Sequence, residues 1–123
     1  MSTFKKNDIL DNKIKPRLID PKFKEDLSML LTLGAEKYEE NNWKLATKKD
    51  IPRYRDALER HLIKYDNGEI IDKDTGLPHM VCIAFNSMAL HYFDIKFNNE
   101  TGNRKLYEKR LMEYKNAKLQ KLS

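Results

Sequence analysis

The chain has 123 residues, 40% of them hydrophobic and 35% charged, which bounds it to one domain with a modest core, best suited to a small helical fold completed by self-association. There is no run of about 18 apolar residues and no apolar signal core at the N-terminus, so a membrane span is excluded and a cytoplasmic location is expected. The single cysteine, Cys82, excludes an internal disulfide and a cysteine-based zinc finger.

The formal net charge is +5, which raises the question of a nucleic-acid partner. Much of it is an end effect, because residues 99–123 hold seven Lys/Arg against three Glu. The acids gather instead around 36–40 and 66–74. A basic chain with a central acidic patch suits a metal–phosphate ligand better than a duplex. No segment resembles a helix-turn-helix recognition helix, so nucleic acid ranks below a small phosphorylated ligand.

Residues 1–20 read as a polar arm. Asp20 is a candidate N-cap with Pro21 at the first helical position, and the spacing predicts a first helix over 22–40. Leu27, Leu30, Leu31, Ala35 and Tyr38 share one side of it. Glu36 and Glu39 lie three apart on the other, either as a solvated acidic face or as a surface for a divalent ion. Asn41-Asn42 suits a cap or turn, and Trp43 within it reads as a core anchor or as a stacking surface for a base.

A second helix is predicted over 51–66, with Ile51, Tyr54, Leu58, Leu62 and Tyr65 as its apolar stripe. His61 falls inside that stripe, where a hydrogen-bonded core histidine is the common outcome. Arg60 lies on the opposite face, four residues from Asp56 and spaced for an ordinary ion pair. Asn67-Gly68 then opens an acidic turn containing Glu69, Asp72 and Asp74. Asp72-x-Asp74-x-Gly76 fails as a calcium loop, since no Glu closes the twelve-residue frame.

The third helix, predicted over 78–96, is apolar nearly all round and therefore buried on most sides. His79, Cys82 and Asn86 form a polar stripe within it, and such groups need partners. His79, at the mouth of this helix, is expected to look toward the acidic turn. A loop at 98–103 and a charged helix over 104–119 complete the chain. The expected organisation is an arm (1–20), an all-α catalytic domain (21–97) and a charged C-terminal helix (98–123).

Five ordered blocks carry a resemblance: Leu33-Gly-Ala-Glu-Lys-Tyr38, Asn42-Trp43, Leu58-Glu-Arg-His61, Gly68-Glu-Ile-Ile-Asp72, and Thr75-Gly-Leu-Pro-His79 through Asn86. Together they resemble the phage and bacterial dATP/dGTP diphosphohydrolase domain, a relative of the all-α MazG-like nucleotide pyrophosphohydrolases. The resemblance implies a four-helix, bundle-like, oligomeric fold that hydrolyses purine deoxynucleoside triphosphates to monophosphate and pyrophosphate with Mg²⁺ or Mn²⁺. By its Glu-x-x-Glu and Glu-x-x-Asp patterns it implies metal ligation by Glu36, Glu39, Glu69 and Asp72, with Glu69 and Asp72 here in a turn. We assign Glu39 as the candidate general base. Lys37, Asn42, Trp43, Arg60, His79 and Asn86 are the candidate substrate contacts. The resemblance also implies a homodimer or higher oligomer and a role in phage nucleotide-pool control, in the host cytoplasm. The alternatives are a small basic nucleic-acid-binding protein and a nucleotide sensor without catalysis.

Overall fold

The structure, a computed structural model, describes residues 14–98 and 102–122. Their main helices are α1 (Pro21–Lys37), α2 (Ile51–Asp66), α3 (His79–Asn98) and α4 (Gly102–Leu122), with short 3-10 turns at Pro16–Leu18, Asn42–Leu45 and Lys48–Asp50. The only β feature among them is an isolated bridge between Ile71 and Pro78. The all-α class therefore holds. Residues 19–98 form one compact unit, and the other described residues belong to a second. The predicted arm falls largely on residues 1–13, outside the described residues, as do residues 99–101 of the predicted loop at 98–103, whose other positions belong to α3 and α4.

Within the main unit, α3 is the central element and both α1 and α2 pack on it. Its fully or nearly buried positions include His79, Cys82, Asn86, Ala89 and Phe93. They are spaced three, four, three and four residues apart, the repeat that keeps one stripe of a helix facing a neighbour. The same seam is apolar at its C-terminal end and polar at its N-terminal end.

Around the apolar end, Trp43 meets Tyr92, Phe85 and Phe93 edge-on, with ring centroids 5.2, 5.9 and 6.2 Å apart. Tyr54 of α2 adds a further edge contact to Phe93 at 5.1 Å. Such perpendicular arrangements suit the ring quadrupoles. Trp43 thus acts as the core anchor, held in a 3-10 turn at Asn42–Leu45. The Lys96 ammonium ties that turn to α3 by donating to the Lys44 carbonyl at 3.0 Å.

The helix ends follow local chemistry. Asp20 caps α1 by accepting from the Phe23 N–H at 2.9 Å, with Pro21 directly after it. At the other end α1 stops at Lys37, three residues before the predicted end. Glu39 takes φ 140° and Asn41 φ 60°, conformations a right-handed helix cannot contain. Glu39 therefore leaves the helix, and the expected common face of Glu36 and Glu39 does not form. Before α2, Asp50 accepts from the Thr47 N–H at 2.9 Å and from the Thr47 hydroxyl at 3.2 Å. On α2 the observed ion pairs are Arg53–Asp50 and Arg55–Glu59, not the expected Asp56–Arg60.

The second unit contributes a 3-10 turn at Pro16–Leu18 and α4, which begins and ends two to three residues beyond its predicted bounds. Along α4, Leu106, Tyr107 and Met112 are exposed while Leu111 is half-buried, in keeping with a thin apolar stripe on a charged helix.

Two outcomes follow from this packing. Phe93 is completely buried, so Phe93→Ala should cost about 3–5 kcal/mol, read as a lowered urea midpoint with an unchanged m-value. The Thr47 N–H, with Arg53 adding to it, holds the Asp50 carboxyl below its ordinary value of 3.8. A lowered carboxyl contributes stability above its unfolded value and loses it as pH falls through the folded one. The stability advantage of the wild type over Asp50→Asn should therefore be present at neutral pH and fade below about pH 3.8 in urea titrations.

Candidate functional site

The polar end of the α3 seam meets a tightly folded turn. α2 closes with the Asn67 N–H on the Ile63 carbonyl. Glu69 N–H then reaches back to the Lys64 carbonyl at 3.0 Å, across Gly68 at φ 97°, where a side chain would be strained. The chain returns antiparallel to itself: Asp72 N–H bonds Leu77 O at 2.8 Å and His79 N–H bonds Ile70 O at 2.9 Å. Asp72 organises the tip of this turn. Its Oδ2 accepts from the Thr75 N–H at 3.1 Å and from the Thr75 hydroxyl at 2.8 Å, the side-chain mimic of a backbone turn.

This fold delivers carboxylate, imidazole, hydroxyl and thiol groups to one place. The Glu69 carboxylate lies 2.6 Å from His79 Nε2, and His79 Nδ1 lies 2.9 Å from Nδ1 of His61 on α2. An ionised carboxylate only accepts, so Nε2 of His79 carries its proton toward Glu69. With both rings neutral, His61 Nδ1–H then donates to His79 Nδ1, and Nε2 of His61 is left with its lone pair. Thr75, its proton committed to Asp72, lies 3.7 Å from the Cys82 sulfur and accepts the thiol proton. Asn86, one turn further along α3, donates to the Cys82 carbonyl at 2.9 Å.

The electrostatics follow from these partners. The hydrogen bond from His79 holds the Glu69 carboxyl below its usual value, against an opposing effect of burial. At Asp72 burial is the largest single influence and acts upward. The two Thr75 bonds, with His61 and the Asp74 N–H, outweigh it and keep the carboxyl low. Burial lowers His61, with Asp72 opposing, and burial raises the Cys82 thiol. Two sets of potential metal ligands result, His61–Asp72–Cys82 and Glu69–Asp72–His79, each with ligand atoms within 4.8 Å of one another.

Beside this cluster lies an open cleft of about 1120 Å³, lined by residues that include Glu39, Asn42, Trp43, Arg53, Tyr54, Arg60 and Asn86. Arg60 and Asn86 connect the two features: the first precedes His61, and the second is hydrogen-bonded to Cys82.

Of the sequence-derived site residues, Asn42, Trp43, Arg60, Asn86 and Glu39 therefore line one cleft. Glu69 and Asp72 come together with His79 in the cluster. His79 is completely buried and its ring nitrogens engage Glu69 and His61, so in this conformation it meets no substrate. Lys37 lies over the Tyr38 ring, 5.1 Å from its centroid, and is not part of the cleft lining. Among the described residues, neither Glu36 nor Glu39 joins a group of three potential ligands. Sequence reasoning placed His61 in the core and did not single out Thr75. The Asp72-x-x-Thr75 spacing is a legible signal for the latter; the His61–His79 contact has none.

The family described as "dATP/dGTP diphosphohydrolase, N-terminal" matches residues 4–104. The chain belongs to that family. A dATP/dGTP diphosphohydrolase of Salmonella phage PMBT28 is 33% identical over 75 residues, covering 61% of this chain and 25% of the relative. The chain thus aligns with about a quarter of the length of that curated relative. No solved structure matches the chain. Among its described residues, no helix is long and apolar enough to cross a membrane.

Within this family member, Cys82 is 3% exposed and its thiol is raised by burial. A maleimide should modify the native protein far more slowly than the urea-unfolded chain at neutral pH. Mass spectrometry of a timed reaction checks this, and comparable rates in the two states would contradict the burial.

Proposed function

We propose that this domain binds and hydrolyses a purine deoxynucleoside triphosphate, dATP or dGTP, to the monophosphate and pyrophosphate with the help of a divalent ion. The observation that carries the reading is the cleft: two guanidinium groups, Arg53 and Arg60, and three carboxylates, Glu39, Glu40 and Asp50, stand round an aromatic lining in a chain of this family. The cleft volume suits a nucleotide. Forked guanidinium donors match phosphate oxygens, and Asn42 and Asn86 offer amides to a base or sugar edge.

In the reaction a water oxygen bonds to the α-phosphorus while the bond to the α–β bridging oxygen breaks and pyrophosphate departs. The water proton passes to a carboxylate, for which Glu39 is our assignment because it lines the cleft. Arg53 and Arg60 offset the charge on the departing pyrophosphate.

The Mg²⁺ or Mn²⁺ implied by the resemblance fits the cleft mouth, where exposed carboxylates and substrate phosphates provide the oxygens that hard ions prefer. Such an ion neutralises the triphosphate and lowers the pKa of bound water. The four-carboxylate shell of Glu36, Glu39, Glu69 and Asp72 is a poorer fit. Glu36 is not among the cleft-lining residues, and Asp72 is buried among Thr75, His61 and Cys82.

The small buried core and the exposed aliphatic side chains of Ile63, Ile70, Ile71 and Met80 support the homo-oligomer implied by the resemblance. A phage enzyme of this kind would act on the purine nucleotide pool of the host cytoplasm.

The decisive assay is pyrophosphate release from each dNTP and NTP with Mg²⁺, Mn²⁺ or chelator. Metal-dependent release biased to dATP or dGTP is expected. Glu39→Gln should lower kcat by about a hundredfold or more, while Arg60→Ala should mainly raise KM. No release from any nucleotide by folded, metal-loaded protein would reject the reading.

A further inference from the structure

We infer that His61, Asp72 and Cys82 form a buried binding site for one transition-metal ion of the zinc class. The cluster stands beside the proposed nucleotide cleft, and its occupancy can be read without turnover.

Three separate segments supply the donors: α2 gives His61, the acidic turn gives Asp72 and α3 gives Cys82. Their ligand atoms already lie within 4.8 Å of one another. Zinc bonds of about 2.0–2.3 Å in a tetrahedron set ligand atoms about 3.3–3.8 Å apart, so closure on an ion requires the separations to shorten by at most about 1.5 Å. Asp72 and Cys82 are 2% and 3% exposed, which removes the competition from bulk water that weakens surface carboxylate sites.

The surrounding bonds pre-orient each donor. Glu69 and His79 occupy Nδ1 of His61 through the chain of contacts at 2.6 and 2.9 Å. With both rings neutral this leaves the lone pair on Nε2 for an ion, and the His79–Glu69 relay stands where ligating imidazoles commonly have a carboxylate or carbonyl. Thr75 fixes the Asp72 carboxylate at 2.8 Å and touches the Cys82 sulfur at 3.7 Å, so one side chain holds two ligands in register.

The donor set decides the class of ion. Imidazole and thiolate favour Zn²⁺ or Co²⁺, whereas Mg²⁺ demands an oxygen octahedron and keeps its waters. Three protein ligands leave a fourth position open, as in zinc sites that bind water or substrate. On binding, the Cys82 sulfur gives up its proton to solvent and forms the metal–sulfur bond; no oxidant or reductant is involved.

The test is titration of the chelator-treated full chain with Co²⁺, followed by absorption. One equivalent should develop visible d–d bands and a near-ultraviolet thiolate-to-cobalt charge-transfer band. Zn²⁺ should erase both, and excess Mg²⁺ should leave them unchanged. Cys82→Ser should abolish the charge-transfer band. Asp72→Asn and His61→Asn should each weaken binding by at least about tenfold, and Glu69→Gln should retain the band at about 10–100-fold lower affinity. Absence of the charge-transfer band in wild-type protein with intact helical circular dichroism, or its displacement by Mg²⁺, would overturn the site even where a variant fails to fold. A cobalt spectrum without pyrophosphate release would leave the site standing and reject only the catalytic reading; release without the spectrum would do the reverse.

Discussion

Burying a histidine completely is tolerable only when both ring nitrogens have partners, and His79 meets that condition in a way that ties three elements together. It begins α3, takes Glu69 from the acidic turn on one nitrogen and His61 from α2 on the other. Removing either partner leaves a desolvated nitrogen with a cost of about 1–3 kcal/mol. The angle at which the turn leaves α2 and enters α3 is therefore constrained by a hydrogen-bonded line. The Ile71–Pro78 bridge and the Asp72–Thr75 motif act on the same turn from its other edge. Together they hold Asp72 against Cys82, which no helix alone would do.

The seam of α3 explains why the polar cluster and the cleft adjoin. Its apolar half holds Ala89 and Phe93, both completely buried; Phe93 meets the rings of Trp43 and Tyr54, which also line the cleft. Its polar half, His79 and Cys82, is buried against the turn and α2. Asn86 stands at the boundary, buried, bonded to the Cys82 carbonyl and facing the cleft. A helix with one uniform buried face would fix either a core or a site. This one fixes both, because the repeat of three and four residues continues while the chemistry along it changes.

The large elements were legible because they rest on local signals. Pro21 after Asp20, the Asn67-Gly68 break and Pro78 before a long apolar run mark helix ends that the structure reproduces within one or two residues. The end of α1 was not legible. Hydrophobic spacing continues through Tyr38, and only the positive φ values at Glu39 and Asn41 reveal that the chain has left the helix. The polar stripe of His79, Cys82 and Asn86 was visible as spacing, and so was the approach of His79 to the acidic turn, where it meets Glu69; its contact with His61 was not. His61 lies eighteen residues from His79, and only the packing register of α2 on α3 turns it from a core residue into that residue's partner.

The same difference between local pattern and tertiary placement separates the two sets of acids. Glu36-x-x-Glu39 and Glu69-x-x-Asp72 look alike as text, two carboxylates three residues apart. The first pair is broken by the end of α1 and faces solvent, where carboxylates remain hydrated and attract hard, hydrated ions weakly unless a phosphate shares them. The second is folded into a turn that removes Asp72 from water and surrounds it with imidazole, hydroxyl and thiol groups. A carboxylate in that setting no longer competes for magnesium on oxygen chemistry alone; its neighbours decide which cation it prefers. Spacing in sequence identifies where acids can converge, and the burial around them determines what they can hold.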